Sequence, residues 1–211
     1  NLIKISKSKI SENETFCAAA ILLYLKENGI DVAATFIDQG LKKFPDSVFL
    51  NRFKGVVLMM EAEQSGTRSR EFDIVPFFQK LNLVEEAVEY FKKALDLANT
   101  GSWPRLVKSQ LGLALYNTLI VLRRGKMQNI DDLKFLQKIE SEIDMSDLSS
   151  DERKNKLIID ASLKLEQERN YHEAFVLFEN FLSEFSPKYE DIKGIAKKFF
   201  QHGSPEFAVK I

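Results

Sequence analysis

The chain has 211 residues, of which 45% are hydrophobic, and it contains only 9 glycines and 5 prolines. This composition can form a sizeable core but offers few of the turns that an all-β fold requires, so it favours helices. A net charge of −1 and a pI near 6.3 lack the basic excess typical of nucleic-acid binders, and no apolar run reaches the ~18 residues of a membrane span.

The first predicted unit is a pair of helices within residues 12–46. Its first helix begins at a capping box formed by Ser11 and Glu14 and ends at Gly29, which can adopt the left-handed cap conformation. A second helix follows and stops at Pro45. The segment therefore predicts a helical hairpin.

The most regular amphipathic segment is Asn82–Asn99. Its apolar stripe includes Ala87, Phe91 and Ala94, whereas its lysines and most of its acidic residues fall on other sides of the helix. This spacing is typical of a helix with about 3.6 residues per turn. Small residues beside a large aromatic one predict close packing against a partner helix.

That partner is expected near Gly55, so the second unit covers residues 47–99. The stripe of the second helix arrives about 20 residues later than a regular repeat would place it. We therefore predict an insertion at residues 65–82, in which Pro76 begins a short helix. Insertions of this length in compact arrays often have a function, and this one either covers or extends a binding face.

Three further units follow, at residues 102–145, 152–187 and 189–211. The third unit has a regular first helix around Leu111 and Gly112, but its second helix, from about residue 130 to 143, lacks the expected alanines. The fifth unit ends in mid-helix at Ile211, so we expect the chain to be part of a longer protein.

A spacing of 34 residues recurs along the chain. It separates Ile21 from Gly55, Ser162 from Ala196, and Ala174 from Ala208. Together with the paired helices and the alternation of small and large residues, this period resembles the tetratricopeptide repeat (TPR) family. The resemblance implies an all-α fold in which about five antiparallel helical hairpins stack as one domain into a right-handed superhelix. An irregular helical repeat of another type would have the same gross shape.

In TPR proteins the first helix of each pair lines a concave groove, and the resemblance implies the same here. The implied groove is apolar and aromatic and would suit a peptide or a partner helix. The candidate groove residues are Leu22, Leu25, Phe49, Arg52, Phe53, Val56, Met59, Met60, Leu106, Gln110, Leu113, Tyr116 and Asn117. An equally good interpretation is that the insertion or an adjoining domain fills this groove as internal core.

One TPR subclass binds C-terminal carboxylates through a clamp of lysine, asparagine and arginine. The equivalent positions here hold Ala18, Leu22, Phe53, Leu106 and Gln110. The resemblance therefore does not imply recognition of a chaperone tail.

Residues with catalytic potential are few. His172 and His202 lie at helix ends, where surface or structural roles are expected, and no metal-binding, redox or phosphate-loop motif is present. The single cysteine, Cys17, is expected to be a small buried residue, and its isolation favours a reducing, cytoplasmic compartment. We predict no enzyme activity, no metal and no cofactor.

Two functions remain open at this point. The first is a protein–protein interaction scaffold that binds its partner in the groove. The alternative is a sensor or regulatory arm of a larger multidomain protein, such as a bacterial signalling or defence protein. RNA binding is disfavoured because a basic stripe is missing.

Overall fold

The computed structural model describes residues 14–27, 29–67, 74–125, 130–166 and 168–210, and all regular secondary structure in these ranges is helical. The helices are α1 (Glu14–Glu27), α2 (Ile30–Lys43), α3 (Val48–Thr67), α4 (Ile74–Thr100), α5 (Arg105–Gly125), α6 (Ile130–Glu142), α7 (Ser150–Glu166), α8 (Tyr171–Phe185), α9 (Tyr189–Gln201) and α10 (Pro205–Ala208). A short 3-10 helix, Met145–Asp147, lies between α6 and α7. The predicted all-α class is confirmed.

The chain divides into two compact units, Asn1–Ile143 and Asp144–Ile211. In each unit, helices that are consecutive in sequence pack on one another, and α3 with α4 forms the most extensive pair. The sequence predicted a single repeat domain, and the continuity of such an array across both units stays a prediction.

The start of α3 is tied to the start of α1. The Ser47 hydroxyl donates to Glu14 Oε1 at 2.6 Å, and the same Ser47 oxygen accepts from the backbone N–H of Leu50 at 3.1 Å, which satisfies one of the free amides of the helix. Ser11, the predicted capping partner of Glu14, lies outside the described residues. The carboxylate of Glu14 thus contacts the next hairpin.

The predicted insertion at residues 65–82 is largely helical where it is described. Helix α3 continues to Thr67, and α4 begins at Ile74 and runs unbroken for 27 residues. The separate short helix expected at Pro76 is therefore wrong. Proline is tolerated in the first turn of a helix, because backbone N–H groups there have no partner within the helix. Pro76 therefore lies inside the first turn of α4 and does not start a separate helix. Residues 68–73 lie outside the described part.

Close helix packing in the first unit depends on two glycines. A Cβ on Gly55 of α3 would lie 2.8–2.9 Å from three ring atoms of Phe91 on α4. A Cβ on Gly40 of α2 would lie 2.8 Å from the Cys17 sulfur and 3.0 Å from a Leu50 methyl group. Real Cβ atoms essentially never lie within 3.0 Å of another atom, so a side chain at Gly55 or Gly40 would force the Phe91 ring or the Cys17 sulfur to move.

The second unit is built around aromatic rings. Phe199 of α9 lies 5.7 Å from both Phe178 and Phe207, measured between ring centroids, and 6.2 Å from Phe175. Phe178 and Phe199 are fully buried among alanine and leucine side chains of α7 and α8. Tilted and edge-to-face rings at these separations are favourable beyond their buried area.

Side-chain caps define the starts of two helices in this unit, α7 and α8. Ser149 and Glu152 form a capping box at the start of α7, in which the Ser149 amide donates to Glu152 Oε2 at 2.9 Å and the Glu152 amide donates to Ser149 Oγ at 3.3 Å. Asn170 caps α8 by accepting from the Glu173 amide.

Candidate functional site

The predicted first helices of three hairpins, α1, α3 and α5, are neighbours in the first unit. Besides the Ser47–Glu14 bond between α1 and the start of α3, Arg52 of α3 donates to the side-chain oxygen of Gln110 on α5 at 3.3 Å. Arg52 and Gln110 were both predicted as groove residues from sequence. We refer to the predicted groove residues on these three helices as the first-helix face.

The side chains of the first-helix face differ in exposure. Leu22 on α1 and Leu106 on α5 are the most open, with exposed fractions of 55% and 46%. Two more, Leu113 and Tyr116, are buried. The remaining nine are half-buried: Leu25, Phe49, Arg52, Phe53, Val56, Met59, Met60, Gln110 and Asn117.

Leu113 and Tyr116 were predicted to face the groove, but both side chains are buried. Tyr116 has no exposed surface, so a partner cannot reach either side chain without a rearrangement. Helix α5 packs on both α4 and α6. Because two helices cover it, its apolar stripe is wider than one neighbour would require and includes Leu113 and Tyr116. Periodicity gives the direction of a stripe but not its width.

An aromatic pair lies at one end of this face. The rings of Phe49 and Trp103 meet edge to face with centroids 5.0 Å apart, and both side chains are half-buried. Trp103 is the only tryptophan in the chain and precedes α5 by two residues. Trp103 was not among the predicted groove residues, although a large aromatic residue three positions before Leu106 is visible in the sequence.

Polar atoms also belong to the first-helix face. In addition to the Arg52–Gln110 bond, the side-chain oxygen of Asn117 is buried and accepts no hydrogen bond from the described residues. Asn117 lies two helical turns beyond Gln110, on the same side of α5. The face therefore combines apolar side chains with a half-buried polar pair, Arg52 and Gln110.

A charged cluster occupies the contact of α2, α3 and α4. The Lys54 ammonium forms a salt bridge with Asp38, with 2.8 Å between Nζ and Oδ1. Burial lowers the pKa of Lys54, but the hydrogen bond to Asp38 and the charges of Asp38 and Glu86 outweigh it, so the pKa is raised overall. Burial, assisted by the carboxylates Asp31, Glu86 and Asp38, raises the pKa of Glu61 although Lys54 opposes this. These shifts follow from mutual contacts of charged groups in the scaffold.

The described residues offer little that resembles a catalytic centre. They contain no group of three or more His, Cys, Asp or Glu side chains that could hold a metal ion. Burial, followed by the nearby charge of Glu14, raises the pKa of the Cys17 thiol, which favours the less reactive protonated form. His172 and His202 are exposed. None of the helices in the described ranges is both long and apolar enough to cross a bilayer.

No protein-family model matches this chain, and no curated protein matches its sequence. The likeness to tetratricopeptide repeats is therefore carried by the residue pattern alone.

Proposed function

We propose that the protein is a non-catalytic interaction scaffold whose first-helix face binds a peptide or a partner helix. The observation that supports this most directly is the exposure of two large leucines, Leu22 and Leu106, on helices that are each hydrogen-bonded to α3 or to the residue before it. Single exposed leucines are common, whereas apolar residues spread over adjacent elements mark interaction surfaces.

The chemistry of α3 fits such a ligand. Met59 and Met60 are half-buried, and methionine side chains adapt to irregular apolar surfaces. The rings of Phe49 and Trp103 offer a rigid aromatic edge, and Arg52 with Gln110 offers hydrogen bonds near it. An amphipathic helix would place its apolar stripe on such a face. In this proposal the hairpins form a right-handed superhelix of the TPR type.

The binding free energy that each leucine should contribute follows from the apolar surface that a ligand would cover. Complete burial of a leucine side chain contributes about 1.5–3 kcal/mol, and Leu22 and Leu106 are each about half exposed before binding. Covering each one should contribute about 1 kcal/mol, and placing a carboxylate there costs more because the charge loses its solvation. Each leucine-to-aspartate change should therefore weaken binding by about tenfold or more.

A peptide selection with an internal reporter tests the proposal. Peptides are selected against the chain from a random displayed library, and their affinities are measured by titration while the emission of Trp103 is recorded. We expect the selected peptides to shift this emission and to lose affinity for Leu22→Asp and Leu106→Asp. Val32→Asp is the matched control, because Val32 is an exposed apolar residue on α2, outside the first-helix face.

Circular dichroism of each variant confirms that it remains folded before binding is compared. The proposal is wrong if the library yields no binder, or if the selected peptides bind both leucine variants as well as the unchanged chain does.

A further inference from the structure

Helix α3 forms the recessed middle of the first-helix face. Its predicted groove residues fall within about a third of the helix circumference, and none of them is more than half-buried or less. We call this set the α3 floor: Phe49, Arg52, Phe53, Val56, Met59 and Met60. On the neighbouring helices, Leu22 of α1 and Leu106 of α5 protrude further and are 55% and 46% exposed. This difference indicates a trough along α3 with a leucine on either side.

Four side chains of the α3 floor follow a heptad spacing. They are separated along the chain by four, three and four residues: Phe49, Phe53, Val56 and Met60. Apolar residues at this spacing form the seam along which a second helix packs. Leu58 and Ala62, on the opposite side of α3, are buried. The packing of α3 on α2 and α4 therefore leaves the seam partly uncovered.

An extended peptide fits the α3 floor poorly, because its backbone needs hydrogen-bond partners. Peptide N–H and C=O groups that lose water without gaining a partner destabilise a complex. All residues of the floor except Arg52 are apolar, and Arg52 donates to Gln110. The backbone groups in the middle of α3 bond within their own helix. A helical ligand satisfies its backbone internally, so it can cover this floor without that penalty.

The recession of the α3 floor also argues against a flat occupant. A bilayer surface meets the protruding leucines first and reaches half-buried side chains last. A single helix is a convex ridge, and ridges of one helix pack into grooves between the side chains of others. A helix can therefore contact the floor and the leucines beside it at the same time.

We infer that the first-helix face takes one amphipathic helix of a partner protein, which lies along α3 with its apolar stripe on the heptad seam. The seam from Phe49 to Met60 is about 16 Å long on an ideal helix, so the ligand has about three to four turns. Leu22 and Leu106 then flank it from α1 and α5. This inference rests on the proposed function, which allows an extended peptide as well.

Three fluorescently labelled peptides of about 16 residues distinguish a helix from an extended chain. The first has leucines at heptad spacing, with alanine, glutamate and lysine elsewhere. The second carries a central proline on the side away from the leucines, and the third has the same composition as the first but leucines at alternate positions. Binding to the full chain is measured by fluorescence anisotropy. We expect the first peptide to bind at least about tenfold more tightly than the others, because proline breaks a helix and alternation favours a strand.

Variants of Val56, in the middle of the seam, test where the helix lies. Val56→Asp should weaken binding of the first peptide by about tenfold or more, because the peptide would cover a carboxylate. Val56→Phe keeps the position apolar but fills the trough, so it should also weaken binding. The matched control is Val176→Asp, which changes an exposed valine on α8 in the second unit and should leave the affinity unchanged. Circular dichroism verifies that each variant is folded.

The outcomes separate this inference from the proposed function. If the peptides selected from the library lose affinity for Leu22→Asp and Leu106→Asp but tolerate a central proline, the face is an interaction site and the inference is wrong. It is also wrong if both Val56 variants bind the first peptide as well as the unchanged chain does. Binding to phosphatidylcholine vesicles, or self-association in analytical ultracentrifugation, that Val56→Asp abolishes would identify a bilayer or a second copy as the occupant instead. A library that yields no binder contradicts the proposed function itself.

Discussion

The two units fill the same predicted repeat position in different ways. In the first unit the small position on α3 is Gly55, which is pressed against the ring of Phe91. In the second unit the corresponding position on α7 is Ser162, which is buried and bonded to Lys198 of α9. Both positions hold a small residue, but only at Gly55 would an added Cβ meet the ring of a neighbouring helix.

The units also differ in where they place charge. The Lys54–Asp38 pair joins two helices of the first unit, and Asp38 is half exposed. The Lys156–Asp160 pair lies within α7, with side chains 5% and 10% exposed and 2.6 Å between the charged atoms. Loss of one charge of the pair should therefore destabilise the second unit more than the first.

The largest effect is expected for Phe199→Ala in the second unit. Removing a fully buried ring that contacts three others leaves a cavity, and such changes lower the free energy of unfolding by about 3–5 kcal/mol. Phe199→Leu keeps most of the volume and should lose less than half as much. Urea denaturation monitored by circular dichroism measures both, and a loss under about 1 kcal/mol for the alanine variant would contradict the aromatic core.

The next effect is expected for Asp160→Asn, which removes the carboxylate charge that the buried Lys156 ammonium contacts at 2.6 Å. Breaking a buried ion pair from one side costs about 3–5 kcal/mol, whereas replacing both partners by apolar residues is often neutral. Lys156→Met combined with Asp160→Leu should therefore be more stable than Asp160→Asn. Glu184→Ala is the exposed control: it removes the surface pair with Arg153 and should cost less than about 1 kcal/mol.

A pair of glycine substitutions tests the contrast between the units directly. Gly55→Ala should lower the free energy of unfolding by about 1–3 kcal/mol, because the new methyl group displaces the Phe91 ring despite the higher helix propensity of alanine. Gly194→Ala meets open space and should raise stability by about 0.5–1 kcal/mol. Changes of the same sign, measured by chemical denaturation, would refute the difference.

The smallest effect is expected for Glu61→Gln. Because the folded-state pKa of Glu61 is raised above its usual 4.5, the folded protein binds this proton more tightly than the unfolded chain does. Its contribution to stability is complete below about pH 4.5 and is lost as the pH rises through the folded-state pKa. Glu61→Gln should thus be slightly more stable than the unchanged chain at pH 7, and this advantage should vanish near pH 4. A pH series of denaturation curves measures the difference.

Sequence reasoning predicted individual helices well where local signals agreed. Helix α8, Tyr171–Phe185, lies within the predicted fourth unit, and Asn170 caps its start. The prediction failed at α4, because the pattern of Asn82–Asn99 was taken as the whole helix although it covers only the last two thirds. The preceding turns carry a proline that looked like a boundary but lies where a helix tolerates it.

The candidate site was predicted less completely. Arg52 and Gln110, which the resemblance to TPR proteins placed in one groove, form a hydrogen bond between two helices. Tyr116, assigned on the same grounds, is fully buried, and the contact of Trp103 with Phe49 went unnoticed. Spacing along one helix carries no information about how many neighbours that helix will have.

The sequence by itself determined that the described part of the chain is helical, where several helices begin or end, and which side of the amphipathic helices is apolar. These properties follow from the 3.6-residue period and from capping residues, which act within a few positions along the chain. Only the tertiary structure decided that Ile21 and Tyr24 are buried while Leu22 and Leu23 face outward, since α1 is apolar around its whole circumference. The physical reason is that burial depends on what packs against a side chain, and that partner lies elsewhere in the chain.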